Sequence, residues 1–338
     1  MSKISTIKDI ADALKVSTST VSRALRDSHE ISQKTKDKVL KYAKEVNFTH
    51  NAFAVSLKMG RSNSIGVLIC DVTNPFIAQL IDGIESVANQ TDYHIMISQS
   101  HDEHERELNS LANLMQKSID GLIISVAGKS KNHQHLSDLQ EKGFPLVFVD
   151  RVVKSIKAPK ITSNNYEASF QATEFLIKKG CKRIVHLGPA KQLYIAQERN
   201  RGYLGALKKH HIPIDERYIK YCDFGGKNIE ELENILENLL QMKERPDAIF
   251  ISSDRLSHQC LMYLKKIKKD QELALAGFCN TELVELFSPE FSYIRQPGFE
   301  MGKASIQTLI NLIEEKNNIG DLEQQTLTSE FFEYPKNL

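Results

Sequence analysis

The chain has few cysteines, little net charge and no long hydrophobic run. Its 338 residues include five cysteines and carry a formal net charge of +1. The cysteines are scattered and lack Cys-x-x-Cys spacing, which argues against a disulfide framework or a zinc site. No apolar run approaches the roughly 18 residues of a membrane span, and the first residues lack the apolar core of a secretory signal. We therefore expect a soluble, cytoplasmic protein that does not bind a membrane.

Motifs for catalysis and cofactor binding are also missing. The sequence contains no GxGxxG loop, Walker A loop, GxSxG elbow or HExxH pair. His101 and His104 flank two acids, but acids at the start of a helix are explained by the helix dipole. His133 and His135 are interpreted as solvent-exposed residues. We therefore predict no catalytic residue, no metal site and no cofactor, and we expect that the chain is not an enzyme.

The small net charge conceals an uneven distribution along the chain. Residues 1–61 contain 12 Lys/Arg and 6 Asp/Glu, a net charge of +6, whereas the remainder contains 32 and 37, a net charge of −5. A basic segment on an acidic body suggests that the segment binds a polyanion. A solubilising surface helix would give the same charge. The length exceeds the roughly 250–300 residues at which single cores stop growing, so we expect more than one domain.

Three short helices are predicted in the basic segment. Thr6 and Asp9 form the pattern of a capping box, and Ser17 and Ser32 can cap the second and third helices. Only residues 14–17 separate the first two helices. This short link is typical of a helix-turn-helix, whose second helix enters the major groove of DNA. An ordinary helical bundle would have the same spacing, so the spacing alone leaves both readings open.

The outer face of the second helix carries side chains that suit DNA contacts. Short hydroxyl side chains allow a close approach and can donate hydrogen bonds to phosphates or bases. Arg23 can bind O6 and N7 of guanine through two parallel bonds. The predicted DNA-binding residues of the segment are Thr6, Ser17, Thr18, Ser19, Thr20, Ser22, Arg23 and Thr35.

The stretch from Thr6 to Leu25 resembles the N-terminal signature of the LacI/GalR family of bacterial regulators, as do residues 31–39 and 51–57. Further similarity extends nearly to the C-terminus. The resemblance implies a sequence-specific DNA-binding transcription regulator, most simply a repressor, associated with the nucleoid. It also implies a homodimer that reads near-palindromic double-stranded operator DNA and responds to a small-molecule effector.

Residues 49–62 are the expected link between a head at residues 1–48 and a body at residues 63–338. The resemblance implies that this link becomes a hinge helix only on DNA, with Asn51 and Leu57 as DNA-binding residues. Leu57 would wedge into the minor groove, a known means of kinking DNA. Val55 stands where many relatives carry an arginine, so no charge contact is inferred there. A simple linker is the alternative.

The body alternates buried apolar runs with helical segments. Such a pattern predicts parallel sheets that are covered on both faces, and two series of runs predict two Rossmann-like lobes. The resemblance implies a periplasmic-binding-protein-like body below an all-α helix-turn-helix head. Its expected division places about residues 63–162 and 293–322 in lobe one and about 163–292 and 323–338 in lobe two. A terminal strand around residues 326–333 is expected in lobe two.

Polar residues follow the predicted strands, at the edge where open parallel sheets bind ligands. Acids, amides, an arginine and an aromatic ring suit a hydroxylated ligand, and the resemblance implies an effector that is a sugar or sugar derivative. The predicted effector-binding residues are Asp71, Phe76, Asp150, Arg199, Ser253, Asp254, Cys279 and Gln296. Relatives often carry an aspartate in place of Cys279, which leaves the effector's identity open.

Structural roles would also explain several of these residues. Asp254 could cap its helix, Arg199 could form a surface ion pair, and Phe76 could pack in a core. Asp150 and Arg151 could pair with each other. Two other classes of function are alternatives to a transcription regulator. A solute-binding protein for transport would need an export signal and no basic head, and an enzyme would need a nucleophile or a cofactor loop.

Overall fold

A computed structural model describes residues 6–25, 27–46, 48, 61–130, 132–269, 272–281, 283–287, 290–314 and 324–334. The chain divides into two units, Met1–Ser62 and Asn63–Leu338. Asn51 and Leu57 of the expected hinge lie outside the described residues. Within the described ranges, no helix has the length and apolar character needed to cross a membrane.

Three helices form the first unit, which we call the head. They are α1 (Ile7–Leu14), α2 (Thr18–Leu25) and α3 (Gln33–Glu45). Lys15 takes a left-handed conformation with φ 55°, which ends α1 and turns the chain towards α2. A small core holds the helices together, formed by Ile10, Ala11, Val21, Ala24, Val39 and Ala43. The predicted helix-turn-helix is therefore confirmed.

Two of the three predicted helix caps are present. The Asp9 amide donates to the Thr6 hydroxyl at 3.2 Å, and the Asp9 carboxylate accepts from the Thr6 amide, which completes the capping box. The Ser17 hydroxyl accepts from the Thr20 amide at 3.1 Å. Ser32 makes no such cap, because its hydroxyl bonds to the Thr35 hydroxyl at 2.9 Å instead.

The second unit, the body, contains two six-stranded sheets, one in each lobe. The strands of lobe one are β1 (Ser64–Ile69), β2 (His94–Gln99), β3 (Gly121–Ile124), β4 (Leu146–Val149), β5 (Lys160–Ser163) and β11 (Gln325–Leu327). The strands of lobe two are β6 (Ile184–Pro189), β7 (Ile219–Cys222), β8 (Ala248–Ile251), β9 (Ala274–Phe278), β10 (Ser292–Arg295) and β12 (Glu330–Phe332).

The two sheets have equivalent strand orders. Lobe one has the order β11-β5-β4-β3-β1-β2, and lobe two has β12-β10-β9-β8-β6-β7. The pairings are parallel except for β10 with β12, which is antiparallel. The predicted pair of Rossmann-like lobes is therefore confirmed. The short strands β5 and β7 were not predicted, because Lys160, Lys220 and neighbouring polar residues interrupt their apolar pattern.

Helices connect the strands and cover both sheets. They are α4 (Pro75–Ala88), α5 (His104–Gln116), α6 (Gln134–Glu141), α7 (Asn165–Lys178), α8 (Tyr194–Lys209), α9 (Ile229–Leu240), α10 (Asp254–Lys266), α11 (Val284–Phe287) and α12 (Gly298–Ile313). Helix α12 returns to lobe one, where Leu309 and Ile313 enter the same apolar core as Ile65 of β1. This return agrees with the sequence expectation.

The boundaries between the lobes differ from the expected ones. β10 pairs with β9 and so belongs to lobe two, although residues 293–295 were expected in lobe one. The chain returns to lobe one only after β10, where Pro297 ends the ladder and precedes α12. The expected single strand at residues 326–333 is two short strands. β11 pairs with β5 in lobe one and β12 with β10 in lobe two, because each sheet has an open edge that a short strand can fill.

Glycines allow α4 and α12 to pack closely. A Cβ atom at Gly302 would overlap the carbonyl oxygen of Leu80, and one at Gly83 would overlap that of Phe299. In lobe two, a Cβ at Gly202 of α8 would likewise overlap the carbonyl oxygen of Tyr166 in α7. Both lobes therefore bring two helices closer together than side chains would permit.

We expect Gly302→Ala to destabilise the body by roughly 1–3 kcal/mol, because the added methyl group must push two backbones apart. Urea unfolding of the full chain measures this change. The control is Gln307→Ala on the exposed side of the same helix, which should change the free energy of unfolding by less than about 0.5 kcal/mol. Equal unfolding midpoints for the two variants would contradict the expectation.

Candidate functional site

Five of the eight predicted effector residues lie just after strands, at their carboxyl ends, and together they come from both lobes. Asp71 follows β1, Asp150 follows β4, Cys279 follows β9 and Gln296 follows β10, while Asp254 begins the helix after β8. All of these side chains are buried. The edge they occupy is the one at which parallel sheets present ligands.

Arg199 of α8 is a buried cation in this region, with 3% of its surface exposed. Its Nε donates to the Asn165 side chain at 2.7 Å, and its Nη1 donates to the Ser252 carbonyl at 2.9 Å. The guanidinium lies 3.7 Å from the centre of the Phe278 ring, a cation–π contact. Burial lowers the pKa of Arg199 to about 10, although the nearby Asp150 favours the charged form. The alternative of a surface ion pair is therefore wrong.

Asp254 is a buried acid whose carboxylate oxygens make no close hydrogen bond among the described residues, and its nearest basic neighbour, His258 Nε2, lies 3.4 Å from Oδ1. It is the first residue of α10, and the N-cap position belongs to Ser253, which is half-buried and makes no side-chain cap. Asp254 therefore does not cap its helix. Burial raises the pKa of the Asp254 carboxyl, against the opposing influence of nearby His258 and of the Asn280 and Phe76 amides.

Asp150 is a second buried acid with an unpaired oxygen. It has a left-handed backbone conformation, with φ 59°, and its Oδ1 has no hydrogen-bond partner in the described part of the chain. Burial raises its pKa, although Arg199 and Arg151 favour the charged form. The suggested pair of Asp150 with Arg151 is wrong, because Arg151 forms its salt bridge with Asp102.

Gln296 belongs to a hydrogen-bond network at the points where the chain crosses between the lobes. Its side-chain Nε2 donates to the Ser163 hydroxyl at 3.1 Å, and its backbone amide donates to the Asn280 side chain at 3.1 Å. Asn280 in turn donates to Gln79 of lobe one at 2.8 Å. We call residues 163–164, 296–297 and 328–329 the crossover segments. The Ser329 amide donates to the Asn164 side chain at 2.7 Å, so that hydrogen bonds connect all three segments.

Asp71 joins the lobes in this structure. Its Oδ2 accepts from Arg255 of α10 at 2.5 Å, and its Oδ1 accepts from the Thr73 hydroxyl at 2.7 Å. Burial alone would raise its pKa, but the bonds from Arg255 and Thr73 hold the pKa well below the usual range. Lys227 of lobe two also lies 3.7 Å from Asp71 and 3.9 Å from Asp102. Both oxygens of Asp71 are thus engaged by protein groups.

Phe76 has a packing role in the structure. Its side chain lies in the apolar core of lobe one, and its amide donates to Asn74, which caps α4. The aromatic face beside Arg199 is supplied by Phe278. Phe278, the last residue of β9, is not among the predicted effector-binding residues, since the orientation of its ring depends on the sheet.

His258 was missed by the sequence analysis and contacts two predicted residues. Its Nε2 lies 3.4 Å from Asp254 Oδ1 and 3.4 Å from Cys279 Sγ. The signal was present in the Asp-x-x-x-His spacing, because residues four apart share one face of a helix. Burial raises the pKa of the Cys279 thiol to about 12, and Asp254 adds to this effect. The thiol is therefore protonated at neutral pH, unlike an activated catalytic cysteine.

A further buried histidine, His186, lies within β6. Neither ring nitrogen has a hydrogen-bond partner among the residues that the structure describes. Burial lowers its pKa to about 3, and Arg199 contributes to the shift, so the ring is neutral. Its ring packs against those of Tyr203 and Phe250. A polar residue inside an apolar strand was the only sequence signal.

His135 differs from its interpretation as a solvent-exposed residue. Its Nε2 bonds to Glu107 at 3.0 Å, and the Glu107 side chain is fully buried. Glu107 also accepts from the Ala127 amide at 2.5 Å and from the Ser130 hydroxyl at 3.1 Å. Glu107 therefore fixes the loop after β3, in addition to lying in the first turn of α5.

The head presents the predicted DNA-binding side chains of α2 at its surface. Thr18, Ser19 and Arg23 are exposed, Thr20 and Ser22 are half-buried, and Thr35, which lies in α3, is also half-buried. Thr6 and Ser17 use their hydroxyls in helix caps. Arg23 forms an exposed ion pair with Glu30 at 3.1 Å. The head therefore offers hydroxyl groups and one guanidinium on a single helix.

We expect Asp254→Asn to stabilise the ligand-free protein by roughly 0.5–2 kcal/mol at neutral pH, because it removes a buried charge that His258, at 3.4 Å, compensates only in part. The raised pKa means that ionisation destabilises the folded state as the pH rises through the folded-state pKa. The gain should therefore disappear as the pH falls below the ordinary aspartate range. Urea unfolding in EDTA-containing buffer at several pH values measures it, and a loss of stability at neutral pH would contradict it.

Comparisons with known proteins agree with this architecture. The model of the lacI family of bacterial regulatory proteins matches residues 6–51, and that of a periplasmic binding protein-like domain matches residues 173–329. The ribose operon repressor of Haemophilus influenzae is 31% identical over 319 residues, which are 93% of each chain. The repressor PurR of Vibrio parahaemolyticus is 29% identical over 93% of this chain and 94% of its own. The lac repressor dimer bound to operator has a TM-score of 0.81 at 21% identity, with 98% of each chain covered. The chain therefore belongs to the LacI family of bacterial transcription regulators.

Proposed function

We propose that this regulator is a homodimeric repressor of transcription, acting at the nucleoid, whose affinity for operator DNA depends on a ligand bound between the lobes. The observation that carries the proposal is a buried Arg199 near two acids, Asp150 and Asp254, that retain unpaired oxygens. The repressors of Haemophilus and Vibrio support the role in repression. The lac repressor, which binds its operator as a dimer, supports the homodimer and a near-palindromic DNA site.

A small hydroxylated molecule, such as a sugar or sugar derivative, is the ligand that these groups favour. Each unpaired carboxylate oxygen can accept a hydrogen bond from a hydroxyl, and bonds to charged groups contribute about 1.5–3 kcal/mol each. The positive charge of Arg199 partly compensates the negative charge of the acids, while Phe278 offers a flat apolar surface. Two acids beside one cation disfavour an anionic ligand.

The contacts between the lobes suggest how the ligand could act. The ion pair of Asp71 with Arg255 fixes one arrangement of the lobes, and the crossover segments allow that arrangement to change. A ligand shifts the equilibrium only if it binds one arrangement more tightly than the other. β1 begins at Ser64, soon after the link to the head, so that movement of lobe one can alter the DNA-binding state.

Two other classes of function are less well supported. A solute-binding protein for transport would leave the helix-turn-helix head without a purpose. An enzyme that used Cys279 as a nucleophile would need a thiolate, whereas burial raises the pKa of this thiol to about 12. Members of this family regulate transcription, which is not an enzymatic activity.

Gel-shift assays test the proposal. They use DNA fragments that the full chain selects from a genomic library, with sugars and nucleosides as added ligands. We expect one class of ligand to change the DNA affinity. Asp254→Asn should weaken that ligand by roughly 10–100-fold while leaving ligand-free DNA binding unchanged. The control is Asp138→Asn, the same exchange at an exposed position of α6. An unaltered ligand response in Asp254→Asn would remove this residue from the site.

We expect Arg23→Ala to weaken specific DNA binding by roughly 1–3 kcal/mol, the contribution of a bidentate contact to a base. The exposed pair with Glu30 contributes at most about 1 kcal/mol, so it should yield to a guanine. Glu30→Gln retains the arginine and serves as the control, with equal or tighter binding expected. Equal losses on selected and random DNA would identify Arg23 as a phosphate contact instead.

A further inference from the structure

Three side chains with different metal-binding groups meet at the edge of lobe two. Asp254 and His258 lie on the same face of α10, one turn apart, and Cys279 follows β9, which pairs with the strand before that helix. Their carboxylate, imidazole and thiol atoms all lie within 4.8 Å of one another. The fold thus brings together residues that are 25 positions apart in sequence.

The two distances from His258 suit tetrahedral coordination of a metal ion better than a hydrogen-bond network, and the carboxylate and thiol atoms lie within 4.8 Å of each other. His258 Nε2 lies 3.4 Å from both Asp254 Oδ1 and Cys279 Sγ. A proton on Nε2 could be donated to only one of these two acceptors, and 3.4 Å is long for a bond to the carboxylate. Zinc lies about 2.0–2.3 Å from nitrogen, oxygen and sulfur ligands, which places tetrahedral ligand atoms roughly 3.3–3.8 Å apart.

We propose that Asp254, His258 and Cys279 bind a zinc ion, with the fourth coordination position open to water or to an oxygen of the effector. Thiolate and imidazole ligands favour zinc over magnesium or calcium, which prefer oxygen ligands. The site is formed by side chains of lobe two alone. It stands independently of the ligand class proposed above, because it rests on these three residues.

Charge balance explains how a zinc ion can be stable at this buried position. Asp254 is 4% exposed and makes no close hydrogen bond among the described residues, with His258 Nε2 as its nearest basic neighbour at 3.4 Å, which is a costly state for a carboxylate. When zinc binds, the Cys279 thiol releases its proton to solvent, and the thiolate and carboxylate together neutralise the two positive charges of the ion. Neutral His258 completes the set, and its side chain, 32% exposed, gives the ion a route from solvent.

An ion at this position would enter the wall of the proposed effector site. Asp254 Oδ1 can hold the ion while Oδ2 accepts a ligand hydroxyl. Arg199 lies close enough to influence the Asp254 carboxylate, so that the ion would add a second positive charge near it. Zinc concentration would then be a second input to the regulator, acting directly or through the affinity for the effector.

Cobalt titration of the reduced, metal-free full chain tests the proposal without DNA or effector. We expect a single Co²⁺ to bind per chain, with visible bands of tetrahedral cobalt and a near-ultraviolet charge-transfer band from the thiolate. Zinc should displace the cobalt and remove both signals. Cys279→Ser should abolish the charge-transfer band. Loss of even an outer partner of a metal ligand weakens binding by roughly 10–100-fold, so His258→Gln should weaken Zn²⁺ by at least about tenfold.

Two variants control for unrelated thiols and histidines. Cys181 is buried in another core cluster and His211 is exposed, so Cys181→Ser and His211→Gln should retain the cobalt spectrum. Circular dichroism confirms that each variant is folded, and partly exposed His258 provides the second variant if Cys279→Ser does not fold. Absence of the charge-transfer band in the native chain, or its persistence in Cys279→Ser, would overturn the proposal. Neither result bears on the sugar-dependent gel shift.

Discussion

Gln296 lies where the proposed ligand site and the connection between the lobes coincide. Its side chain binds Ser163 and its backbone binds Asn280, so that one residue connects two crossover segments and the loop after β9. Short connections of this kind resist stretching but permit rotation, which suits hinge motion. A ligand that engages the buried groups around Gln296 therefore acts directly on the part of the chain that sets the angle between the lobes.

The hydrogen bonding of the buried acids also distinguishes the connection between the lobes from the proposed ligand site. Both oxygens of Asp71 accept hydrogen bonds, whereas Asp150 Oδ1 and the two oxygens of Asp254 make no close hydrogen bond within the described part of the chain. Unpaired buried charge lowers stability and persists where function requires it. Asp71 joins the lobes to each other, and the oxygens of Asp150 and Asp254 that make no close hydrogen bond are the ones we propose for the ligand. The two roles are thus divided among residues that look alike in the sequence.

Much of the architecture could be predicted because it depends on local patterns. The capping box at Thr6 and the apolar run at β1 are both encoded within a few residues. The lobe boundaries could not be predicted, because β11 and β12 are adjacent in sequence and their assignment depends on which sheet edge is open. The partner of Arg151 was equally beyond local reasoning, since Asp102 reaches it only through the fold.

Contacts between segments that are distant in sequence also limited how much of the candidate site could be predicted. The strand-end rule made Asp254 and Arg199 candidates, and they stay predictions, while the contact of His258 with Cys279 requires α10 and β9 to be placed side by side. Hydroxylated ligands can be inferred from residue types alone. Distances of a few ångströms between donors, on which metal binding depends, cannot.

The close packing of α4 against α12 has a consequence for the synthesis of the chain. Gly83 and Gly302 meet in this contact, although more than two hundred residues separate them. When a ribosome has completed β5, lobe one still lacks α12 and the edge strand β11, and its apolar core cannot close. Lobe two is translated in the meantime. Lobe one, which is translated first, can therefore complete its core only after the last part of the chain has been made. The apolar surface that it exposes during this interval is where a chaperone would bind.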